Sequence, residues 1–424
     1  MTEQVVKKDE YKFSRILYII EAALEYFVAM AVSGIYLAKM TAYIGIPDSV
    51  TGVLSSFVSL GCGFQIIAIF LAHKKPVKRW VTALHLISQL IFTLLYFVPV
   101  FDCSTTMKTV IFAACLLSAR IVDNVVNSPK INWYMSLVED KKRGRFTANK
   151  EIVSLLGGMV FSYFMGSMMD RFEAQGDMQT AFIVGGLTVF ILCCLHTATL
   201  LFSKEKPAEN TEKVSMWKEI QELLKDKTLF KVVLISVLWN IAHCVTTPFL
   251  STYQTKELNF TTKFASIIVM VGSFMRVLCS KPLGRYADKH SFTKMLIICY
   301  IVEALSFGLG VFIVPSNGKV MYTLHHLLYV GGMAGINSAV INLIYDYVDA
   351  KRRTSALALK QTLAGTAGFL TTLAVSPLVS RIQENGNMLF GIPVYAQQVL
   401  SLISCILTLG LLVYMLTVIR KIKK

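Results

Sequence analysis

Charged side chains are scarce in this sequence. Asp, Glu, Lys and Arg together make up 16% of its 424 residues, whereas 54% are hydrophobic. Soluble domains carry about 25% charged residues, and a mean hydropathy of +0.58 is too high for a water-soluble globule of this length. The scarcity therefore excludes an ordinary soluble fold and indicates a protein embedded in a lipid bilayer.

Several motifs that carry enzyme chemistry are also missing. The nine cysteines lie almost all in apolar runs without a CxxC, which indicates core residues rather than disulfides. No His, Asp and Glu cluster has metal-site spacing, and no nucleophile lies beside a base, so no metal or cofactor is expected. A multi-span membrane enzyme, built around His325 and His326, is the weaker alternative to a non-enzyme.

Positive charge is in excess, with a net charge of +16, but it does not indicate nucleic acid, which requires the cations to gather on a soluble basic face. The cations instead fall in alternate loops between apolar runs. If the first run starts in the cytoplasm, 30 of the 42 Lys and Arg lie on that side and seven on the other. The positive-inside rule then predicts a cell-membrane protein with both termini cytoplasmic.

Long apolar runs are abundant. Each has about 20 residues or more, which at about 1.5 Å per residue crosses a hydrocarbon core of about 30 Å. We therefore predict an all-α membrane protein with twelve transmembrane helices. The runs are 15–38, 49–72, 80–100, 107–131, 148–169, 180–203, 229–250, 262–283, 293–314, 319–347, 354–376 and 393–418.

The two halves of the chain repeat each other. The segment NWYMSLVEDKKRGRFTANK at 132–150 aligns without a gap with NLIYDYVDAKRRTSALALK at 342–360, an offset of 210 residues. The repeat predicts two pseudo-symmetric six-helix bundles, at 1–203 and 229–424, joined by a cytoplasmic linker at 204–228. Within the linker, WKEIQELLKD has the pattern of a short amphipathic helix on the membrane surface.

The loop after the eighth run reads GRYADKHSFTKML, at 284–296. It resembles the signature of the major facilitator superfamily of secondary transporters, a Gly, an Ala-Asp pair and further cations between spans 2 and 3 and again between spans 8 and 9. The corresponding loop of the first half, AHKKPVKRW, has the cations without the Asp.

The resemblance implies transport of a small molecule by alternating access, and we expect a monomer in the bilayer. Such loops and the paired 4–5 and 10–11 turns would then form charged latches that hold one conformation. The predicted gating residues are Gly284, Asp288, Lys289, Lys294, Glu139, Arg143, Asp349 and Arg353.

Ionisable residues inside the apolar runs are the candidates for proton coupling, because each costs roughly 3 kcal/mol to insert. The first run carries Glu21 and Glu25 one turn apart, and the fourth carries Arg120 and Asp123. Glu21 and Arg120 come out at similar depth, and spans 1, 4, 7 and 10 line the cavity in the family, so we predict that these two residues pair. Glu25 falls at the midplane and is the predicted proton carrier.

The positions 210 residues later hold Lys231, Ile235 and Val330, so the second half lacks this charged cluster. It has neutral polar residues elsewhere in spans 7 and 10 instead. A buried carboxylate also occurs in the ninth run, Glu303, for which the sequence suggests no role. The predicted substrate-cavity residues of both halves are Tyr18, Asn124, Asn127, Asn240, His243, His326, Tyr329 and Asn337.

Two transport functions compete. An acidic, aromatic cavity favours proton-coupled efflux of cationic amphiphilic drugs. Span 5 has Gly157, Gly158 and Gly166 but lacks the Gly-Pro that the family's antiporters often carry there, which favours uptake of a small organic solute by proton symport.

Overall fold

The computed structural model describes residues 10–72, 76–139, 142–206, 216–348 and 353–421. Twelve segments in this part of the chain are helical, long and apolar enough to cross a membrane. The predicted all-α membrane fold is confirmed. Spans 1 to 12 are Lys12–Ile44, Asp48–Ile67, Val77–Val100, Thr105–Ser136, Asn149–Ala174, Met178–Phe202, Lys227–Glu257, Thr262–Lys289, Phe292–Gly310, Gly318–Ile344, Ser355–Glu384 and Ala396–Lys421.

The first six spans are built from nine helices. Two of these spans are interrupted, since α1 and α2 together form span 1 and span 2 is divided into α3, α4 and α5. The helices are α1 Lys12–Ala31, α2 Gly34–Ile44, α3 Asp48–Ser55, α4 Phe57–Gly63, α5 Gln65–Ala72, α6 Val77–Leu95, α7 Thr105–Ser136, α8 Arg143–Ala174 and α9 Met178–Phe202, with a 3₁₀ turn at Val98–Val100.

The second half follows the same plan. The short helix predicted in the linker is present as α10, Met216–Lys225. The other elements are α11 Lys227–Thr246, a 3₁₀ turn Thr247–Phe249, α12 Leu250–Thr252, a π turn Tyr253–Glu257, α13 Thr262–Lys289, α14 Phe292–Gly310, α15 Gly318–Tyr347, α16 Arg353–Glu384, the hairpin β1 Met388–Leu389 and β2 Ile392–Pro393, α17 Ala396–Thr417 and a 3₁₀ turn Ile419–Lys421.

Side-chain caps fix where several spans begin. A hydroxyl or carboxylate oxygen accepts a backbone N–H of the first turn and so satisfies a donor that the helix cannot pair. Asp226, for example, accepts from the N–H groups of Thr228 and Leu229 at 2.8 and 3.1 Å. Equivalent caps are Ser104 before α7, Asp177 before α9, Thr261 before α13 and Ser291 before α14.

Each half has its own apolar core, which explains why the two can act as separate bundles. In the first half Phe92, Phe112 and Phe182 are fully buried together. In the second, Tyr300 and Phe307 lie at the centre of the corresponding cluster. Between the halves, span 5 packs against span 8 and span 2 packs against span 11.

Spans 1 and 7 are interrupted at comparable positions. Span 1 breaks at Val32 and Ser33, between α1 and α2, and Gly34 then starts α2 with a φ of +55°, a conformation that glycine adopts without strain. Span 7 changes from α11 to a 3₁₀ turn at Thr247–Phe249. The two breaks face a common cavity, described below.

Polar bonds join the halves at the side of the bundle opposite both chain termini, here called the far side. Asp48 contacts Lys256 Nζ at 2.5 Å and accepts a hydrogen bond from Gln383 Nε2 at 2.9 Å. Asp170 at the end of span 5 accepts the backbone N–H groups of Thr262 and Lys263 at 2.7 and 2.8 Å, and so caps α13 across the boundary.

Candidate functional site

A buried lysine holds the two glutamates of span 1. Lys130 of α7 places its Nζ 2.8 Å from Glu21 Oε1 and 2.6 Å from Glu25 Oε1. Lys130 and Glu21 are at most 1% exposed, whereas the Glu25 side chain is 24% exposed. One ammonium is therefore shared by a fully buried carboxylate and a carboxylate that is partly accessible.

Two histidines extend this arrangement through the first bundle. His196 of α9 places Nε2 2.9 Å from Glu21 Oε1, and its Nδ1 lies 2.8 Å from Nε2 of His85 on α6. One set of neutral tautomers satisfies both contacts, with His85 Nε2–H donating to His196 and His196 Nε2–H donating to Glu21. Nδ1 of His85 is then left without a proton, as an acceptor.

That acceptor faces the third carboxyl group of the region, Asp123. His85 Nδ1 lies 3.9 Å from Asp123 Oδ1. Both atoms are buried, and neither has a hydrogen-bond partner among the described residues. Neither atom can donate to the other unless one of them binds a proton, and 3.9 Å is longer than a hydrogen bond, so the two must also approach each other to form one. We call Glu21, Glu25, Lys130, Asp123, His85 and His196 the ionic network.

The ionic network contains atoms close enough to share a metal ion. Ligand atoms of Glu21, His85 and His196 lie within 4.8 Å of one another, as do those of Glu25, His85 and Asp123. The first set is already joined by hydrogen bonds, and the ammonium of Lys130 lies against Glu21, where a second cation would be repelled. These contacts account for the geometry, and we do not assign the residues as metal ligands.

The predicted pairing of Glu21 with Arg120 is wrong in this structure. Arg120 lies elsewhere, with Nη2 3.4 Å from the carbonyl oxygen of Val32 and its guanidinium 4.9 Å from the centre of the Phe92 ring. Lys130, ten residues after Arg120 on α7, takes its place beside Glu21.

A cavity of about 320 Å³ lies between the two halves, where spans 1 and 7 break. Spans 1, 2, 4, 7 and 8 contribute to its walls. Among the described residues that line it, Arg120 is the one charged side chain. The others include Val32, Ser33, Gly34, Leu54, Ser55, Ser59, Leu116, His243, Cys244, Thr247, Ser251, Gln254 and Val269.

An aromatic group in the second bundle supports one wall of this cavity. His243 lines the cavity, and its Nδ1 lies 3.2 Å from the Tyr329 hydroxyl. The ring of Tyr329 stacks on that of His243 at 5.8 Å, with Trp239 on the other side at 5.5 Å. The predicted residues His243 and Tyr329 are thus brought together.

The two histidines of span 10 are not among the residues that line the cavity. His326 packs against Gly272 of span 8 and stacks on Tyr322. His325 is 1% exposed and bonded to Ser306 at 3.0 Å, which indicates a structural role.

The remaining predicted cavity residues make local contacts. Tyr18 is buried in a stack with Tyr134, whose ring centre is 4.2 Å away, next to the ionic network. Asn124 and Asn240 each donate to the carbonyl oxygen one turn earlier, at 2.9 Å. Asn127 lies on α7 and is partly exposed, and the side chain of Asn337 lies outside the described residues.

The predicted gating residues that the structure describes lie at the side of the chain termini. Gly284, Asp288 and Lys289 belong to the last turns of α13, and Lys294 lies in the first turn of α14. Asp288 is exposed and forms no ion pair with a described residue. Glu139 pairs with Lys142 at 2.9 Å, both exposed. Asp349 and the side chains of Arg143 and Arg353 lie outside the described residues.

Glu303 is the most isolated carboxyl group of the second bundle. It is fully buried in α14, and neither side-chain oxygen has a hydrogen-bond partner among the described residues. Its side chain packs directly against Gly332 of α15, where a Cβ would lie 2.6 Å from Oε1. A larger residue than glycine at that position would require the Glu303 side chain to move.

Comparison with known proteins decides the family. The family model described as Major Facilitator Superfamily matches residues 22–372, most of the chain. The chain belongs to the Major Facilitator Superfamily. As a member of this superfamily it is a multi-pass membrane transporter of small molecules, and not the membrane enzyme that was the alternative. No curated protein sequence matches it.

Solved structures of superfamily transporters share the fold. The nucleoside transporter NupG superposes with a TM-score of 0.71 at 15% identity, over 97% of this chain and 100% of NupG. A D-xylose-proton symporter gives 0.69 at 13% identity, over 95% and 97%. The partially occluded inward open xylose transporter XylE from E. coli gives 0.69 at 11% identity, over 98% and 100%. Identities this low bear on the fold alone.

Proposed function

We propose that this chain couples the movement of a small organic solute to that of a proton, by symport and by alternating access between the two bundles. The observation that carries the proposal is the 3.9 Å gap between Asp123 Oδ1 and His85 Nδ1, two buried acceptors at the end of a hydrogen-bonded chain that leads to Glu21. A proton on either atom turns the pair into a donor and an acceptor, which can form a hydrogen bond once the two approach by about 1 Å.

The charge of the region supports the same conclusion. The carboxylates of Glu21, Glu25 and Asp123 outnumber the cations Lys130 and Arg120 by one when both histidines are neutral. An unbalanced charge is costly in a low-dielectric interior, so binding of one proton is favoured. The partly exposed carboxyls, Glu25 at 24% and Asp123 at 21%, are the two that water can reach.

Glu25 and Asp123 are therefore two candidate proton carriers. Glu25 already has a cationic partner in Lys130, so protonation there first has to weaken a contact of 2.6 Å. Asp123 Oδ1 has no such partner. Glu25 stays our predicted carrier from its depth in span 1, and Asp123 is the candidate that the side-chain contacts favour.

The test uses the purified protein in liposomes on a solid-supported membrane, with a panel of sugars, nucleosides, amino acids and organic acids. We expect currents that depend on a pH gradient in the wild type. The carrier should lose pH-driven accumulation but keep exchange between equal pools when replaced by its neutral amide, in Glu25→Gln or Asp123→Asn. The matched control is Glu173→Gln, which neutralises an exposed glutamate outside the ionic network.

Transport by the wild type that does not depend on a pH gradient would contradict proton coupling. Coupled transport at the normal rate in both amide variants would remove the ionic network from the mechanism. Loss in one variant and not in the other identifies the carrier.

Efflux of a cationic amphiphile is the less supported alternative, because the acidic residues belong to the ionic network and the charged group on the cavity wall is Arg120.

The proposed orientation in the cell membrane, with both termini cytoplasmic, rests on the distribution of Lys and Arg among the loops. A Ser215→Cys probe in a Cys-free background should react with an impermeant thiol reagent from the inside alone.

A further inference from the structure

We propose that the central cavity binds the negatively charged group of a small organic anion, between Arg120 and the start of α2. The proposal rests on the proposed transport function and names the chemical class of its substrate. The break in span 1 and the position of the Arg120 side chain support it independently.

The start of α2 offers unpaired backbone donors in the middle of the protein. The first N–H groups of a helix have no partner within the helix. Those of Gly34, Ile35 and Tyr36 donate to no described residue. Ser33, at the capping position, donates its hydroxyl back to the carbonyl oxygen of Ala29 at 2.6 Å and so does not cap α2.

A buried arginine reaches the same break. Arg120 is 6% exposed, lines the cavity and approaches the carbonyl oxygen of Val32, the residue at the break. Its Nε is buried without a hydrogen-bond partner among the described residues. A guanidinium with a free N–H and a helix N-terminus beside it provide positive charge and directed donors together, the combination that binds carboxylates and phosphates.

The rest of the cavity determines the body of the ligand. The volume of about 320 Å³ is at the lower end for ligand pockets, which indicates a small solute. Leu54, Leu116 and Val269 supply apolar walls, and the hydroxyl of Ser55 is buried without a partner. One cationic group and no anionic one on the described walls match a ligand with one negative charge.

The probes are pairs that differ in charge but hardly in shape: benzoate and benzamide, and butanoate and butanamide. Thermal unfolding of the purified wild type is measured with each at 10 mM and no pH gradient. We expect the anion of at least one pair to raise the unfolding temperature more than its neutral partner. Chloride and inorganic phosphate at the same concentration test for a free inorganic ion.

Two variants locate the site. Arg120→Gln should abolish the anion effect, while Arg276→Gln, which removes a partly exposed arginine of span 8, should retain it. Ser33→Asp places a carboxylate at the cap of α2, where it satisfies the free N–H groups and occupies the anion position. Ser33→Asp should therefore stay folded yet lose the anion effect, and Ser33→Asn, which caps without charge, should lose less.

The proposal is overturned if the neutral partners stabilise as well as the anions, if no anion stabilises, or if the effect survives in Arg120→Gln and in Ser33→Asp. Stabilisation by inorganic ions alone assigns the site to a free ion and also overturns it. Because binding is measured without a gradient, a failure here leaves proton coupling intact. Anion binding without pH-dependent transport would instead contradict the proposed function.

Discussion

The two halves of this transporter share a helix plan but differ in what they bury. The first half encloses Lys130 with its carboxylates and two histidines, whereas the positions 210 residues after this lysine and these histidines hold apolar residues, with Val340 for Lys130, Met295 for His85 and Ile406 for His196. The second half instead encloses aromatic rings and an isolated Glu303. The comparison teaches that the helix plan is kept while the buried groups change, and that among the described residues the fully buried ion pair lies in the first bundle.

The largest effect is expected from removing the cation of the ionic network. Lys130→Met leaves Glu21 and Glu25 without their shared partner, and should lower the free energy of unfolding by about 3–5 kcal/mol, as for other broken buried ion pairs. Denaturant titration in mixed micelles measures it. Lys39→Met, which breaks the more exposed pair with Glu173, is the control and should cost about 1 kcal/mol or less.

A second variant separates charge from packing in that result. Glu21→Gln/Lys130→Met removes one charge of each sign and should recover part of the loss. If the double variant is no more stable than Lys130→Met, the deficit comes from the methionine side chain and the ion pair is not the stabilising contact.

An intermediate effect is expected where the two halves meet at the far side. Asp48→Asn weakens its contacts with Lys256 and Gln383, so the halves should separate there more often. Because Lys256 is 41% exposed, we expect a shift of about 1 kcal/mol, or roughly fivefold in the reaction rate of a Ser380→Cys probe, which lies in the same cleft as Asp48 and Lys256. The control is Asp177→Asn, at the cap of α9, which should leave the reaction rate of the probe unchanged. If Asp48→Asn also leaves that rate unchanged, these bonds do not hold the two halves together at the far side.

The smallest effect is expected in the second bundle. Glu303→Gln keeps the size of a side chain that has no ionic partner among the described residues, so stability should change by about 1 kcal/mol or less. Glu21→Gln, which takes a carboxylate from Lys130 and His196, should cost more in the same denaturant titration. Equal costs would show that the two bundles do not differ as described.

The sequence predicted the spans and the repeat because hydropathy and loop length determine them directly. It also identified Glu21, Glu25 and Asp123, since ionisable residues stand out against an apolar background. It missed Lys130 as their partner because rise per residue estimates depth but not which faces of two helices meet, and Arg120 matched Glu21 in depth. His85 and His196 were missed because they lie in spans 3 and 6, whereas the resemblance predicts that spans 1, 4, 7 and 10 line the cavity.

A signal for Lys130 was nevertheless present. It lies seven residues after Asp123, two helical turns along the same face of α7, and next to an apolar stretch that contains Trp133. The break in span 1 had no comparable signal, because Ser33 and Gly34 also occur within continuous membrane helices.

The ion pairs that Lys130 of α7 forms with Glu21 and Glu25 of α1 have a consequence for how the protein is made. Span 4 carries Arg120, Asp123 and Lys130, and each costs about 2.5–3.5 kcal/mol to insert near the centre of a lone helix. Span 1 leaves the ribosome first and brings the carboxylates that neutralise Lys130. Stable insertion of the fourth helix during synthesis therefore depends on the first helix remaining beside the translocation channel until it arrives.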